Sequence, residues 1–134
     1  VRIALVVVLA LALAAPAQAL VRQFRTPSTN IGCIFSSEPG GGGPYLRCDI
    51  RSGLKPKPTR SCTGDWTGYE VNMTGRARTV CAGDTVVNTR AKVLPYGSKW
   101  SRGGFTCTSR RTGLRCRNRS AHGFVLSRMH SYRF

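Results

Sequence analysis

Ile31-Gly32-Cys33-Ile34-Phe35-Ser36 and Tyr45-Leu46-Arg47-Cys48-Asp49-Ile50 are two short strand-like runs separated by Pro39, four consecutive glycines and Pro44. Glycine and proline clusters punctuate the chain as turns, so the pattern reads as a β-hairpin with one cysteine in each strand. The pattern returns near the other end. Cys107 lies in Gly104-Phe-Thr-Cys-Thr108 and Cys116 in Gly113-Leu-Arg-Cys-Arg117, with Arg110-Arg-Thr-Gly113 as the turn. Each hairpin is expected to be closed by a cross-strand bridge, Cys33 with Cys48 and Cys107 with Cys116, which leaves Cys62 with Cys81. Six cysteines allow about 15 connectivities, and the local pattern favours this one. In the chain-entropy account, loops of this size each stabilise by about 2–4 kcal/mol.

Outward from the hairpins, further strand-like runs fall at 69–73, 77–81, 85–88 and 123–127, the second hairpin itself occupying 104–108 and 114–118. No stretch carries a sustained helical period. Residues 20–30 form a polar lead-in ending in the turn cluster Thr26-Pro-Ser-Thr-Asn30, and Lys55-Pro-Lys-Pro58 reads as a rigid extended linker. Leu94-Pro-Tyr-Gly97 fits a β-turn with proline second and glycine fourth. The expected fold is all-β: a small antiparallel sheet protein, barrel- or sandwich-like, stapled by three disulfides. Leu-Arg-Cys occurs in both hairpins, at 46–48 and 114–116, and hints at an internal repeat.

The first nineteen residues have a different character. Arg2 precedes an apolar run from Ile3 to Ala15, which is ended by Pro16 and Gln18. A membrane-spanning helix needs about 20 apolar residues, so this run falls short. Ala17 and Ala19 supply the small-x-small pattern of a signal-peptidase site. Residues 1–19 are therefore expected to be a signal peptide cut before Leu20, and residues 20–134 a single secreted domain. The first cysteine is Cys33, far from that cut, so a lipid anchor is not expected. In an oxidising compartment an even cysteine count means bridges before metal sites. No C-x-x-C or Cys/His spacing points to zinc, and no metal or cofactor is expected.

Charge is the strongest functional signal. Without Arg2, 20 of the 21 basic residues remain against five acidic ones, a net of +15. From residue 85 onward there are eleven Lys or Arg and no Asp or Glu. Arg115, Arg117 and Arg119 alternate with Cys116 and Asn118, which on a strand would put the three guanidiniums on one face, with Leu114 and Cys116 turned inward. Same-face neighbours stand about 6.6–6.8 Å apart, close to the spacing of successive phosphates on one nucleic-acid strand. Arg110 and Arg111 would extend that row. The expected partner is an anionic polymer or surface: an envelope polymer, nucleic acid or anionic lipid. The oligomeric state is left open.

Three other features carry less. Cys62-Thr-Gly-Asp65 and Cys81-Ala-Gly-Asp84 repeat a C-x-G-D pattern whose carboxylates are expected to cap their turns or pair with arginines rather than hold a cation. Trp66, Tyr96, Trp100 and Phe105 fit core or rim packing better than a stacking platform. His122 and His130 are the two imidazoles. With Glu70 they are the acid-base candidates for a ribonuclease-like alternative. No G-x-S-x-G, H-E-x-x-H or P-loop pattern is present.

Thr26-Pro-Ser-Thr-Asn-Ile-Gly-Cys33, Arg47-Cys-Asp-Ile50, Cys81-Ala-Gly-Asp-Thr85, Leu94-Pro-Tyr-Gly97 with Trp100, Gly104-Phe-Thr-Cys107, Gly113-Leu-Arg-Cys116 with Asn118, and His122-Gly-Phe-Val-Leu-Ser-Arg128 together resemble a family of uncharacterised exported proteins of actinobacteria, small secreted domains with similarly placed cysteines. The resemblance implies an exported bacterial domain and transfers no catalytic residue. The expectation is therefore a non-enzymatic, basic, secreted domain. Its alternatives are a secreted ribonuclease-like enzyme and a protein-binding or inhibitor module.

Overall fold

In this computed structural model the described residues are 12–38 and 42–134. The first eleven residues of the expected signal segment and the centre of the glycine loop, 39–41, lie outside them. Residues 12–19 have no regular structure and are exposed. No helix among the described residues is long and apolar enough to cross a membrane.

The two hairpins form as expected, β2 (Ile31–Ser36) with β3 (Tyr45–Ile50) and β8 (Phe105–Arg110) with β9 (Gly113–Arg117). Each grows into a meander. In the first sheet β1 (Val21–Arg25) pairs with β2, β4 (Asp65–Asn72) with β3, and β5 (Arg78–Ala82) with β4, all antiparallel. A two-residue β6 (Lys92–Val93) adds parallel to β1, giving the order β5-β4-β3-β2-β1-β6. In the second sheet β7 (Lys99–Arg102), β10 (Gly123–Leu126) and β11 (Tyr132–Arg133) give β11-β10-β9-β8-β7. The chain is thus an all-β, two-sheet protein with three disulfides, Cys33–Cys48, Cys62–Cys81 and Cys107–Cys116.

The sheets pack face to face. Cys33 lies directly across from Cys48, and Cys107 from Cys116, with Cα atoms 4.1 Å apart in both pairs. All four are fully buried, and the sulfurs of Cys33, Cys48 and Cys116 lie within 4.8 Å of one another, so the two bridges meet between the sheets. Phe35 meets Phe105 edge-on at 5.9 Å, and Tyr69 meets Phe124 at 5.6 Å.

The register exposes a repeat far longer than Leu-Arg-Cys. Across the first sheet runs the row Phe24–Cys33–Cys48–Tyr69, and across the second Trp100–Cys107–Cys116–Phe124. Asp49 opposite Gly68 corresponds to Arg117 opposite Gly123, and Leu46 opposite Val71 to Leu114 opposite Leu126. Strands β1–β5 and β7–β11 are two copies of one five-stranded meander.

Several expectations shift. The lead-in contains a strand, β1, of which only Phe24 is fully buried, so its sequence shows little alternation. β4 begins at Asp65, four residues before the run expected at 69–73. The turn near Leu94 is displaced by one: Ser98 N–H donates to Pro95 O at 3.0 Å, which puts Gly97, at φ 84°, third. A positive φ in the third position of a turn is where glycine is favoured.

Residues 85–88 are not a strand. They belong to a strap that leaves β5 at one edge of the first sheet and crosses its outer surface to β6 at the other. Val86 N–H donates to the Asp49 carboxylate at 3.0 Å and the Asn88 side-chain amide donates to Gln23 Oε1 at 2.9 Å, so the strap is tied to side chains beneath it rather than to a neighbouring strand. Gly32 permits the crossing, since a Cβ there would stand 2.7 Å from Val87 Cα.

Candidate functional site

The two copies of the meander place an arginine at the same outward position, Arg47 in β3 and Arg115 in β9, and then diverge. Two residues on, the first sheet has Asp49 and the second Arg117. Asp49 is 1% exposed, and Arg47 grips it with two hydrogen bonds, Nε to Oδ1 at 3.0 Å and Nη2 to Oδ2 at 2.9 Å. Arg47 also donates to Asp84, at the backbone oxygen (3.1 Å) and Oδ1 (3.4 Å). Burial works against the Arg47 charge, but the hydrogen bond and charge of Asp49, followed by those of Asp84, outweigh it and hold the guanidinium above its ordinary value. Opposite Arg47 stands Glu70, which pairs with Arg78. Asp49, Asp84 and Glu70 are thus engaged by arginines, and the strap covers part of this outer face.

On the second sheet Arg117 replaces the first acid, and Val125, opposite Arg115, replaces the second. Lys99 pairs with Thr108 and Thr108 with Arg115, while Ser101, Thr106 and Arg117 form the adjoining row. Lys99, Arg115 and Arg117 are exposed, and none has a carboxylate partner among the described residues. Gly123 carries no side chain on this face, and Phe134 lies beside it through paired backbone bonds of 3.0 Å. The Arg115 guanidinium rests 3.8 Å above the Phe134 ring. A row of rings continues outward, Phe134 to Tyr132 at 6.4 Å and Tyr132 to His130 at 5.5 Å. Hydroxyls, three cations and no acidic side chain make a surface suited to a polyanion lying across the strands.

The five arginines expected to form one row are spread from one end of the second sheet to the other. Arg115 and Arg117 lie on the open face. Arg119 follows β9 after the chain turns at Asn118, and its side chain fills the space that a Gly104 side chain would take, at the β7–β8 turn. Arg110 and Arg111 lie at the opposite end of the sheet, where they line a recess with Arg128. Lys99 and Arg128 were not singled out by sequence, because they reach these places from strands and loops distant along the chain.

The acid-base candidates are not gathered. His122 precedes β10 and His130 follows it, so the two stand at opposite ends of that strand. Glu70 belongs to the other sheet and is paired with Arg78. His122 sits in a turn organised by Asn118. Buried Asn118 accepts from the Ser120 and His122 backbone N–H groups and donates to Asn72 O and Gly75 O, tying the β9–β10 turn to the β4–β5 turn.

Of the C-x-G-D carboxylates, Asp84 pairs with Arg47, while Asp65 opens β4 and is exposed. Phe105 is core, and Trp100 packs on Phe24 and Phe35. Trp66 and Tyr96 lie at the rim beneath Arg60 and Arg111. The Cys33, Cys48 and Cys116 cluster is made of bridged sulfurs, so no thiolate is free there to hold a metal.

No curated protein and no solved structure matches the chain. The sequence profile of DUF6636, a family of unknown function, matches residues 3–134, and the chain belongs to that family.

Proposed function

We propose that this chain is an exported, non-enzymatic domain that binds an anionic polymer on the outer face of its second sheet. The observation that carries the reading is the divergence of the two meanders: where the first has Asp49 closing on Arg47, the second has Arg117 beside Arg115. One scaffold thus has an internally neutralised face and a face whose cations have no carboxylate partner among the described residues. Export is supported by the signal-peptide pattern of residues 1–19 and by three bridges, which persist in oxidising compartments. A ribonuclease needs two acid-base groups beside the phosphate site. The separation of His122, His130 and Glu70 favours binding over cleavage.

The test is retention of the full chain on immobilised heparin or DNA with salt elution. Retention at physiological salt, lost in Arg115→Glu with Arg117→Glu, is the expected outcome. Passage of the unaltered chain straight through at that salt sinks the proposal.

A further inference from the structure

At the end of the sandwich remote from Asn118, the β1–β2 turn, the β8–β9 turn and the β10–β11 loop enclose an open recess of about 360 Å³. Ser28, Tyr96, Arg110, Arg111, Thr112 and Arg128 are among the residues that line it, and no carboxylate does. The three arginines differ from the protein's structural ones. Arg25, Arg47, Arg60, Arg78 and Arg133 all donate to protein oxygens, whereas Arg110, Arg111 and Arg128 have no side-chain hydrogen bond or ion pair among the described residues. Their donor edges are unspent.

The floor beneath them is held in place. Thr26 N–H donates to Ile31 O at 2.9 Å, and Thr26 Oγ1 accepts from Ile31 N–H at 3.2 Å. Arg111 lies 4.9 Å over the Tyr96 ring. Stacking of that kind orients a guanidinium while leaving its edge free for an anion. Three permanent charges with no acid among them favour a dianion over a monoanion, and arginine's planar fork matches phosphate oxygens in pairs. The hydroxyls of Ser28 and Thr112 supply further donors.

We propose that this recess is a phosphate-binding pocket, separate from the open face, that takes a phosphate dianion either as the free ion or as a terminal phosphomonoester. It does not depend on the open face binding a polymer, since Lys99, Arg115 and Arg117 do not line it. The test is a titration of the full chain with inorganic phosphate and, separately, with glycerol 3-phosphate, followed by backbone NMR shifts at physiological salt. Saturable shifts confined to 26–31, 96, 110–113 and 127–129 are expected. Arg111→Gln and Arg128→Gln should each weaken binding by about tenfold, the scale of a charge-assisted contact, and Arg117→Gln should leave it unchanged. Binding of both ligands identifies a terminal phosphomonoester site; binding of inorganic phosphate alone identifies a free-ion site. On the unaltered chain, sulfate should displace phosphate, and acetate at equal ionic strength should not. Shifts that fail to saturate, equal weakening by Arg117→Gln, or equal displacement by acetate would overturn the proposal.

Discussion

Phe24 and Trp100 occupy equivalent places in the two sheets and touch each other: Phe24 lies across from Cys33 and Trp100 across from Cys107, and their rings meet at 4.9 Å. The contact is one end of two facing rows. Behind it the two bridges meet, and behind them Tyr69 meets Phe124. A repeated meander packed on its own copy buries like against like, which lets a small domain with thin apolar content close a core. It also frees the outer faces to differ, and the difference between Asp49 and Arg117 is where the proposed function resides.

Gly68 and Gly123 offer a matched test of the repeat. A Cβ on Gly68 would stand 1.9 Å from Cys48 O, and one on Gly123 would stand 1.9 Å from Cys116 O. Gly68→Ala and Gly123→Ala should therefore each force the backbone apart and cost about 1–3 kcal/mol in urea unfolding. A cost at one position and none at the other would argue against equivalence.

Asp49 anchors the strap. Asp49→Ala would take from Arg47, only 14% exposed, its bidentate partner, leaving it only the more exposed Asp84, and from Val86 N–H its acceptor. Removing one member of a buried pair costs about 3–5 kcal/mol, and proteolysis should then open residues 83–91. Asp84→Ala removes a carboxylate that is 80% exposed and should cost about 1 kcal/mol or less. Equal losses would mean that the strap does not depend on Asp49.

The bridges should be reduced in order of burial. Cys81 is exposed and Cys62 half-buried, while Cys33, Cys48, Cys107 and Cys116 are fully buried. Mild reductant followed by alkylation and mass spectrometry should label Cys62 and Cys81 first, with near-UV circular dichroism retained. Simultaneous labelling of all six would contradict the packing.

What sequence made legible were the elements whose own residues carry the pattern. Alternation and a central cysteine identified β2, β3, β8 and β9, and the Arg115/Arg117 alternation placed those two side chains on one face. What it hid depends on distant partners. Val21-Arg-Gln-Phe-Arg25 fully buries one side chain, and β6 and β11 have two residues each, too few for a period. Thr85-Val-Val-Asn88 has strand-forming residues, yet its Val86 N–H is captured by the buried side chain of Asp49 on the sheet beneath. Arg128 joined Arg110 and Arg111 through a loop that spacing does not foresee.

The most direct measurement is the salt dependence of binding to a single-stranded DNA probe for the unaltered chain, Arg117→Asp and Arg51→Asp. Arg117→Asp should reproduce beside Arg115 the pairing that Asp49 makes with Arg47, removing one cation and engaging another. Each phosphate released from a single strand contributes about 0.7 to the slope of log affinity against log salt, so the slope should become shallower by about 1.4. Arg51→Asp makes the same charge change in the exposed turn after β3 and should leave the slope close to that of the unaltered chain. Equal changes in the two variants, or a flat slope in the unaltered chain, would contradict a binding face built by the Asp49-to-Arg117 divergence.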